Sequence, residues 1–591
     1  MKRLRALAPA LLSVNKPNMT FVGIEFGLMV IAMACAFAWP GLGAGGFARV
    51  EGIFARLACR KGLAATAVGV SAILLRLALL PLFPIPLPFV PDDFSFLLAC
   101  DTFVHGRLAN QTPAMWTHFE SIHITMQPTY QSMYFPGHGL LLAAGQALFG
   151  HPWFGLLVAA GIFCGVLTWM LQAWLPPTWA LLGGIIAVIR LGLFSDWINT
   201  YHTAGTLAAL GGALVLGALP RLMKTARLRY GLLMSVGVVL VASTRPYEGV
   251  LLCLPTAVAL GHWMWKGKNR PRAMVLAKRA ALPAALLVCA AAWMGYYDLK
   301  AFGKATTLPY TINRATYAVV PYYFWQHLRP APVYRSEDMR IFYEKEEMDF
   351  YNKIHSVRGF LPFTLVKAGM ALLFYAGPAL LPPLIMMRRL FLDRRIRFLV
   401  VCSLVLMAGM IVEIYLMPYY VAPFTAAFYV LGLQATRHLR VWKPEGRPIG
   451  LTAVRFLVFL CVALGAVRIF AKPLHVAPLE WPPSNWNMTW IGPEHFGIER
   501  AQVEAQLSNL PGGQLAIVRY GANHHPIDEW VYNQSDIDHA KVIWARDMGS
   551  AGNLELIRYY RDRSVWLVEP DQIDAGANPA RVSPYPFEES R

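Results

Sequence analysis

Apolar residues in this chain come in long unbroken runs rather than at the alternating or one-face spacing of soluble elements. Runs that reach the eighteen or so residues a membrane crossing needs lie near 63–83, 153–174, 178–195, 203–220, 231–247, 248–265, 280–298, 360–387, 398–417, 419–436 and 451–470. The polar residues between them are mostly basic and clustered: Arg56, Arg60 and Lys61; "RLMKTARLR" (221–229); "KGKNRPRAMVLAKR" (266–279); "RRLFLDRRIR" (388–397); and "RHLRVWKPEGR" (437–447). Cytoplasmic loops collect Lys and Arg, and threading the runs in order puts all five clusters on one side. Residues 134–150, "YFPGHGLLLAAGQALFG", then form a juxtamembrane or re-entrant helix on the outer side, because counting them as a span would move 221–229 outside. An earlier run, 21–40, fits two arrangements. As a twelfth span it leaves Lys2, Arg3, Arg5 and Lys16 outside, against the charge rule; the other arrangement is a hairpin.

This threading leaves four outward segments: 84–152, "SDWINTYHT" (195–203), 299–359 and the residues after 471. Residues 473–591 carry a net charge of −7 and the rest +26, so the last segment is expected to be a separate polar domain. Within it "GQLAIVRY", "AKVIWARD" and "SVWLVEP" read as strands and "NLELIRYYRD" as a helix. The expected fold is an all-α polytopic membrane protein of about 11–12 transmembrane helices with a small C-terminal α/β extramembrane domain. Its expected divisions are an N-terminal segment, 1–62, a transmembrane domain, 63–472, and an outward α/β domain, 473–591.

Composition narrows the function classes. The 591 residues are 56% hydrophobic and 15% charged, and the net charge of +19 sits in clusters between apolar runs, which argues for topology rather than nucleic-acid binding. Eight cysteines are scattered with no CxxC pair, so neither a disulfide framework nor a zinc site is indicated. "MKRLRALAPALLSVNKPN" has a basic start but a short, proline-interrupted apolar segment, unlike a cleavable signal peptide. No P-loop, GxSxG or Rossmann glycine pattern occurs.

Charges within or beside spans carry the chemistry, because an ionisable group at membrane depth is costly and faces a cavity or a partner. Arg76, Arg190, Arg245, Glu248 and Glu413 all fall in the outer halves of their runs, near Asp92, Asp93 and Asp196. In "PLPFVPDDFSFLLAC" (86–100) the two adjacent carboxylates stand where a span leaves the bilayer, ahead of an amphipathic helix whose apolar side suits the interface. One reading is helix capping. The other is a general base held where lipid meets water, able to deprotonate an acceptor while a lipid-borne leaving group stays in the membrane. His118, His123, His138, His151 and His202, with the two aspartates, are of a type that binds a divalent metal, although without fixed ligand spacing. "ANHHPIDEWVYNQSDIDH" near the C-terminus is either a solvated loop or an acceptor or metal surface.

These motifs, in this order and topology over about residues 63–470, resemble the GT-C superfamily of integral membrane glycosyltransferases, which includes protein O-mannosyltransferases and aminoarabinose transferases. "PDDFSF" matches the family's acidic motif in the first outer loop, "YFPGHGLLLA" its proline-rich juxtamembrane start with Phe135 for the first proline, and "LFSDWINTYHT" its later acid. "STRPYEG" resembles the polar turn near the donor. The resemblance implies inverting transfer of a sugar from a polyprenyl-phosphate donor to a lipid, glycan or protein acceptor at the outer face, in a cell envelope such as the bacterial inner membrane. It implies catalytic roles for Asp92, Asp93 and Asp196. Donor phosphate falls to Arg245, with Glu248 orienting it and Lys300, Lys304, Arg314 and Arg329 behind it. Arg76, Tyr134, His138, Tyr201 and His202 are expected to line the cavity. The competing reading is a transporter or lipid-carrier flippase, whose charges would lie near the midplane and whose halves would often repeat; a third is a catalytically silent assembly protein.

Overall fold

The computed structural model describes residues 16–267, 270–356, 358–471, 497–572 and 580–586, together with 473, 490 and 492. Lys2, Arg3 and Arg5, on which the orientation of the first run turns, lie outside them. The described chain is a helical bundle topped on one side by two long loops and a small sheet. Among the described residues five helices are long and apolar enough to cross a membrane: Lys61–Ala78, Trp153–Trp174, Gly205–Thr225, Ala273–Phe302 and Ile449–Phe470. Val22–Ala38, Pro177–Leu193, Leu228–Ala242 and Arg397–Ile411 are shorter apolar helices. The chain is an integral membrane protein.

Several expected spans are shorter than their apolar runs, and proline explains where they break. The run 231–247 ends as helix at Ala242, since Pro246 disfavours helical backbone before it. The run 360–387 is helical to Tyr375 and then breaks into short 3-10 turns at Pro378 and Pro382. The runs 398–417 and 419–436 become helices Arg397–Ile411 and Thr425–Arg440, leaving irregular backbone around Pro418 and Pro423. Such backbone survives at membrane depth only inside protein or against a cavity. The first run is one helix, Lys16–Ala38, followed by a second, Ala44–Cys59. Helices Lys61–Ala78 and Trp153–Trp174 pack backbone to backbone: a Cβ on Gly69 would sit 2.7 Å from the Gly161 carbonyl oxygen, so only glycine permits this crossing.

On the side that carries the two long loops, β1 (Ile124–Thr125) and β2 (Gln131–Ser132) pair antiparallel, with Ile124 opposite Ser132. The C-terminal sheet comprises β3 (Gln514–Val518), β4 (Val542–Arg546), β5 (Ser564–Glu569) and β6 (Arg581–Pro584) in the order β4-β3-β5-β6. β3 is parallel to β4 and β5, and β6 closes one edge antiparallel. The two strands buried at every position, β3 and β4, are the apolar "QLAIV" and "VIWAR", as a sheet covered on both faces requires. One covering layer includes helix Ile498–Ser508, through Val503 and Leu507. The other is the 84–152 loop itself: Phe94, Leu98, Phe119, Ile124 and Tyr130 share a core with Leu515, Ile517, Ile543 and Leu556.

Candidate active site

Pro91 opens helix Pro91–Val104 from an extended Val90, which puts both aspartates in its first turn. Their surroundings differ completely. Asp93 is fully buried and accepts hydrogen bonds from the N–H groups of Phe89 (3.1 Å), Val90 (3.4 Å) and Tyr201 (2.8 Å), and its Oδ1 lies 3.2 Å from His202 Nδ1. It caps the helix and pins the 195–203 turn to it. Asp92 keeps 18% of its side chain exposed. One carboxylate oxygen accepts a short hydrogen bond from the Tyr134 hydroxyl, and the other lies 3.2 Å from His123 Nδ1. Tyr134 and His123 are themselves 3.1 Å apart. Burial by itself would raise the Asp92 carboxyl, but the His123 imidazole beside it, with His202 and the Tyr134 hydroxyl, holds it down at about 2.

His123 is held in an uncommon conformation. Its φ of 63° lies in the left-handed region, which a non-glycine residue occupies only when its surroundings fix it. Its carbonyl accepts from Ser95 Oγ (2.8 Å) and from the Met133 N–H (3.2 Å), and its own N–H donates to Tyr343 Oη (3.3 Å). The C-terminal sheet domain holds the preceding residues. The Tyr532 hydroxyl donates to the Ile122 carbonyl (3.1 Å), and Ser121 Oγ makes a short bond to the Val531 carbonyl. Tyr532 also stacks on Phe94, two residues past Asp92, with centroids 4.4 Å apart and rings inclined by 5°. Phe94 and Leu98 of the Asp92 helix therefore dock on this domain and not, as the sequence suggests, in the lipid interface, while Val104 at its end stays exposed.

The juxtamembrane helix Pro136–Phe149 connects this end of the site to Arg245. The Gly137 N–H donates to the Ser243 carbonyl at 3.0 Å, and a Cβ on Gly137 would meet Ser243 Oγ at 2.5 Å. "YFPGHG" and "STRPYEG", far apart in sequence, thus touch. Arg245 is buried, with its guanidinium over the rings of Tyr420 (4.4 Å) and Tyr419 (4.8 Å) and a 3.5 Å contact to the Thr203 carbonyl. It forms no ion pair within 4.0 Å among the described residues, Glu248 included. Tyr310 lies between the two ends, its ring 5.6 Å from Tyr134 and 5.7 Å from Tyr322.

Asp196 is buried near this wall, neither of its carboxylate oxygens makes a hydrogen bond among the described residues, and burial pushes it up to about 7 against the pull of His202. His138 Nε2 is 2.7 Å from the Tyr201 carbonyl, and Tyr201 Oη donates to the Pro86 carbonyl at 3.0 Å. Other sequence candidates stand elsewhere. Arg76 bonds the carbonyls of Phe83 (2.8 Å) and Pro84 (3.1 Å) just past its own helix, and Asn199 Oδ1 (3.1 Å). Arg314 is engaged by Glu347, with Nη2 2.8 Å from Oε2. Lys304 is exposed, and Lys300 lies 5.7 Å over Tyr296. Arg329 Nη1 donates to the Arg314 carbonyl at 2.9 Å. Glu248 is buried one turn into the helix that Arg245 caps. Among the described residues no group of three His, Cys, Asp or Glu side chains is arranged to hold a metal. Sequence reasoning missed Tyr310, Tyr419 and Tyr420, and placed His123 only among metal candidates; Pro418 and Pro423 around "YYVA" were the available signal that a span breaks there.

No family model matches the chain, and no curated protein matches it. Among solved structures it is similar to ArnT from Cupriavidus metallidurans in the apo state, at 14% identity and a TM-score of 0.46, over 86% of this chain and 94% of that one. ArnT bound to undecaprenyl phosphate gives the same identity and TM-score, over 86% and 92%. The Archaeoglobus fulgidus oligosaccharyltransferase in complex with Zn and sulfate gives 11% identity and a TM-score of 0.42, over 86% and 68%.

Proposed function

We propose that this protein is a GT-C-type membrane glycosyltransferase that moves a sugar from a polyprenyl-phosphate donor to an acceptor at the outer face, with inversion. The observation that carries this reading is the pairing, along one tyrosine-lined wall, of a partly exposed ionised carboxylate and a buried guanidinium that has no ion-pair partner among the described residues. Asp92 takes the proton of the acceptor hydroxyl or amine as that atom attacks the anomeric carbon. The bond from the anomeric carbon to the phosphate oxygen breaks, and the polyprenyl phosphate leaves with the electron pair. Arg245 meets the developing charge bidentately. His123 and Tyr134 hold the Asp92 carboxylate in one orientation, as a base acting in a near-attack geometry requires. A single displacement needs one base and no covalent sugar–enzyme intermediate, which leaves Asp93 to its structural bonds.

The test is transfer in proteoliposomes from a polyprenyl-phosphate-linked sugar of known anomeric configuration to envelope acceptors, with the product linkage read by NMR. The reading expects a product of inverted configuration. Retention, or movement of the intact lipid across the bilayer with no new glycosidic bond, would overturn it.

A further inference from the structure

A concavity lies where the two long loops meet, lined by residues on either side of His123 in sequence. Its volume is ≈ 250 Å³, and its lining includes Trp116, Glu120, Gln127, Tyr317, Tyr334 and Arg335. The first three come from the 84–152 loop and the last three from the 299–359 loop, so the cavity exists only where the two outer loops meet. Its floor is built. Glu120 is 5% exposed, accepts from the Tyr317 hydroxyl at 3.1 Å and from Arg335 Nη1 at 3.2 Å, and its backbone carbonyl takes Arg546 Nη2 at 3.3 Å. Tyr334 Oη donates to the Tyr317 carbonyl at 2.7 Å, fixing both rings. Arg335 keeps 46% of its side chain exposed and lies 4.7 Å over Trp116.

The chemistry of this lining selects among ligand classes. A lipid tail would bury against a carboxylate–guanidinium pair, at a desolvation cost it cannot return. A cationic ligand would meet a carboxylate already paired with Arg335. A sugar ring suits both features: its C–H face packs on aromatic rings, and its hydroxyls both donate and accept, matching Glu120 as acceptor with Arg335 and Gln127 as donors. The volume holds a ring of that size. The position also has a purpose. Glu120 and Thr125, both of the lining, bracket His123, so a ring held here sits against the same hairpin that orients the Asp92 carboxylate.

We infer that this cavity is a subsite for a non-reacting sugar ring of a glycan acceptor, binding energy that holds the reacting group at Asp92. The inference rests on the glycosyltransferase reading above. The test uses the full chain in nanodiscs with maltotriose, chitotriose and mannotriose in turn, followed by saturation-transfer NMR and tryptophan fluorescence. At least one trisaccharide is expected to bind saturably, about ten- to hundredfold more weakly in Arg335→Ala and Trp116→Ala, and near wild-type affinity in Trp116→Phe. Added polyprenyl-phosphate-linked sugar is expected not to compete, which separates an acceptor ring from the donor's own sugar site. Binding by none of the three, binding unchanged in Arg335→Ala, or displacement by the polyprenyl-phosphate-linked sugar would each overturn the subsite. Arg335 is at the rim and half exposed, so its variant carries the test if Trp116→Ala fails to fold. Trisaccharide binding that is intact in an Asp92→Asn protein with normal transfer would remove the base assignment and leave the subsite standing.

Discussion

The two ends of the candidate site are built on opposite plans. At Asp92 both carboxylate oxygens are engaged, by Tyr134 and by His123, and the backbone that presents His123 is fixed by Ser95, Met133 and Tyr343. At Arg245 the guanidinium rests on two tyrosine rings with one long contact to a carbonyl, although it is buried. An orienting shell costs little when its partners are already positioned, whereas a buried cation with no carboxylate in direct contact is offset only by the tyrosine faces and by Glu248 at longer range. The difference teaches that the protein engages both oxygens of the Asp92 carboxylate and gives the Arg245 guanidinium aromatic faces but no ion pair among the described residues, the contrast on which the proposed roles rest.

Substitutions can break this contrast in graded steps. The largest effect is expected at Asp92: Asp92→Asn keeps size and much of the local bonding but not basicity, so transfer should fall by about two to four orders of magnitude. Next comes Arg245→Ala, which should weaken polyprenyl-phosphate binding by about ten- to a hundredfold, measured by thermal shift or native mass spectrometry, with the fold retained. Smaller again is Tyr532→Phe, which keeps the stack on Phe94 and loses only the bond to the Ile122 carbonyl. It should lower turnover by roughly three- to tenfold with donor affinity unchanged, the cost of about one hydrogen bond. The subtlest test is pH. Asp92 is held at about 2 largely by His123, so its ionised, basic form fills the whole neutral range. Removing the imidazole in His123→Ala leaves burial unopposed by its nearest partner, so the acid limb of the transfer rate should move to higher pH. An unmoved limb would take Asp92 out of the rate-limiting proton transfer.

Much of the layout was legible because the forces that set it are local. Long apolar runs mark the helices that are long and apolar enough to span, and "VPDDF" marks the start of a proline-opened helix. The C-terminal strands sit where their apolar runs predict. What the sequence hid depends on contacts between distant segments. The face of Phe94 and Leu98 reads as interfacial by pattern, and nothing near it announces that Tyr532 will cover it. A left-handed His123 has no sequence signature of its own, since no glycine or asparagine stands there. Tyr419 and Tyr420 lie in an apolar run and read as part of a span, until Pro418 and Pro423 are taken as breaks that turn irregular backbone toward Arg245.

The division of labour between the adjacent aspartates is the central claim, and single-turnover transfer from pre-bound donor tests it most directly. With donor occupancy matched, Asp92→Asn should transfer about a hundred- to ten-thousandfold more slowly than wild type at an unchanged melting temperature. Asp93→Asn should instead lose stability, by about 1–3 kcal/mol for disrupted buried hydrogen bonds, and transfer in proportion to the folded fraction. Transfer by Asp92→Asn within about threefold of wild type, or a folded Asp93→Asn protein that is the slower of the two, would contradict the account.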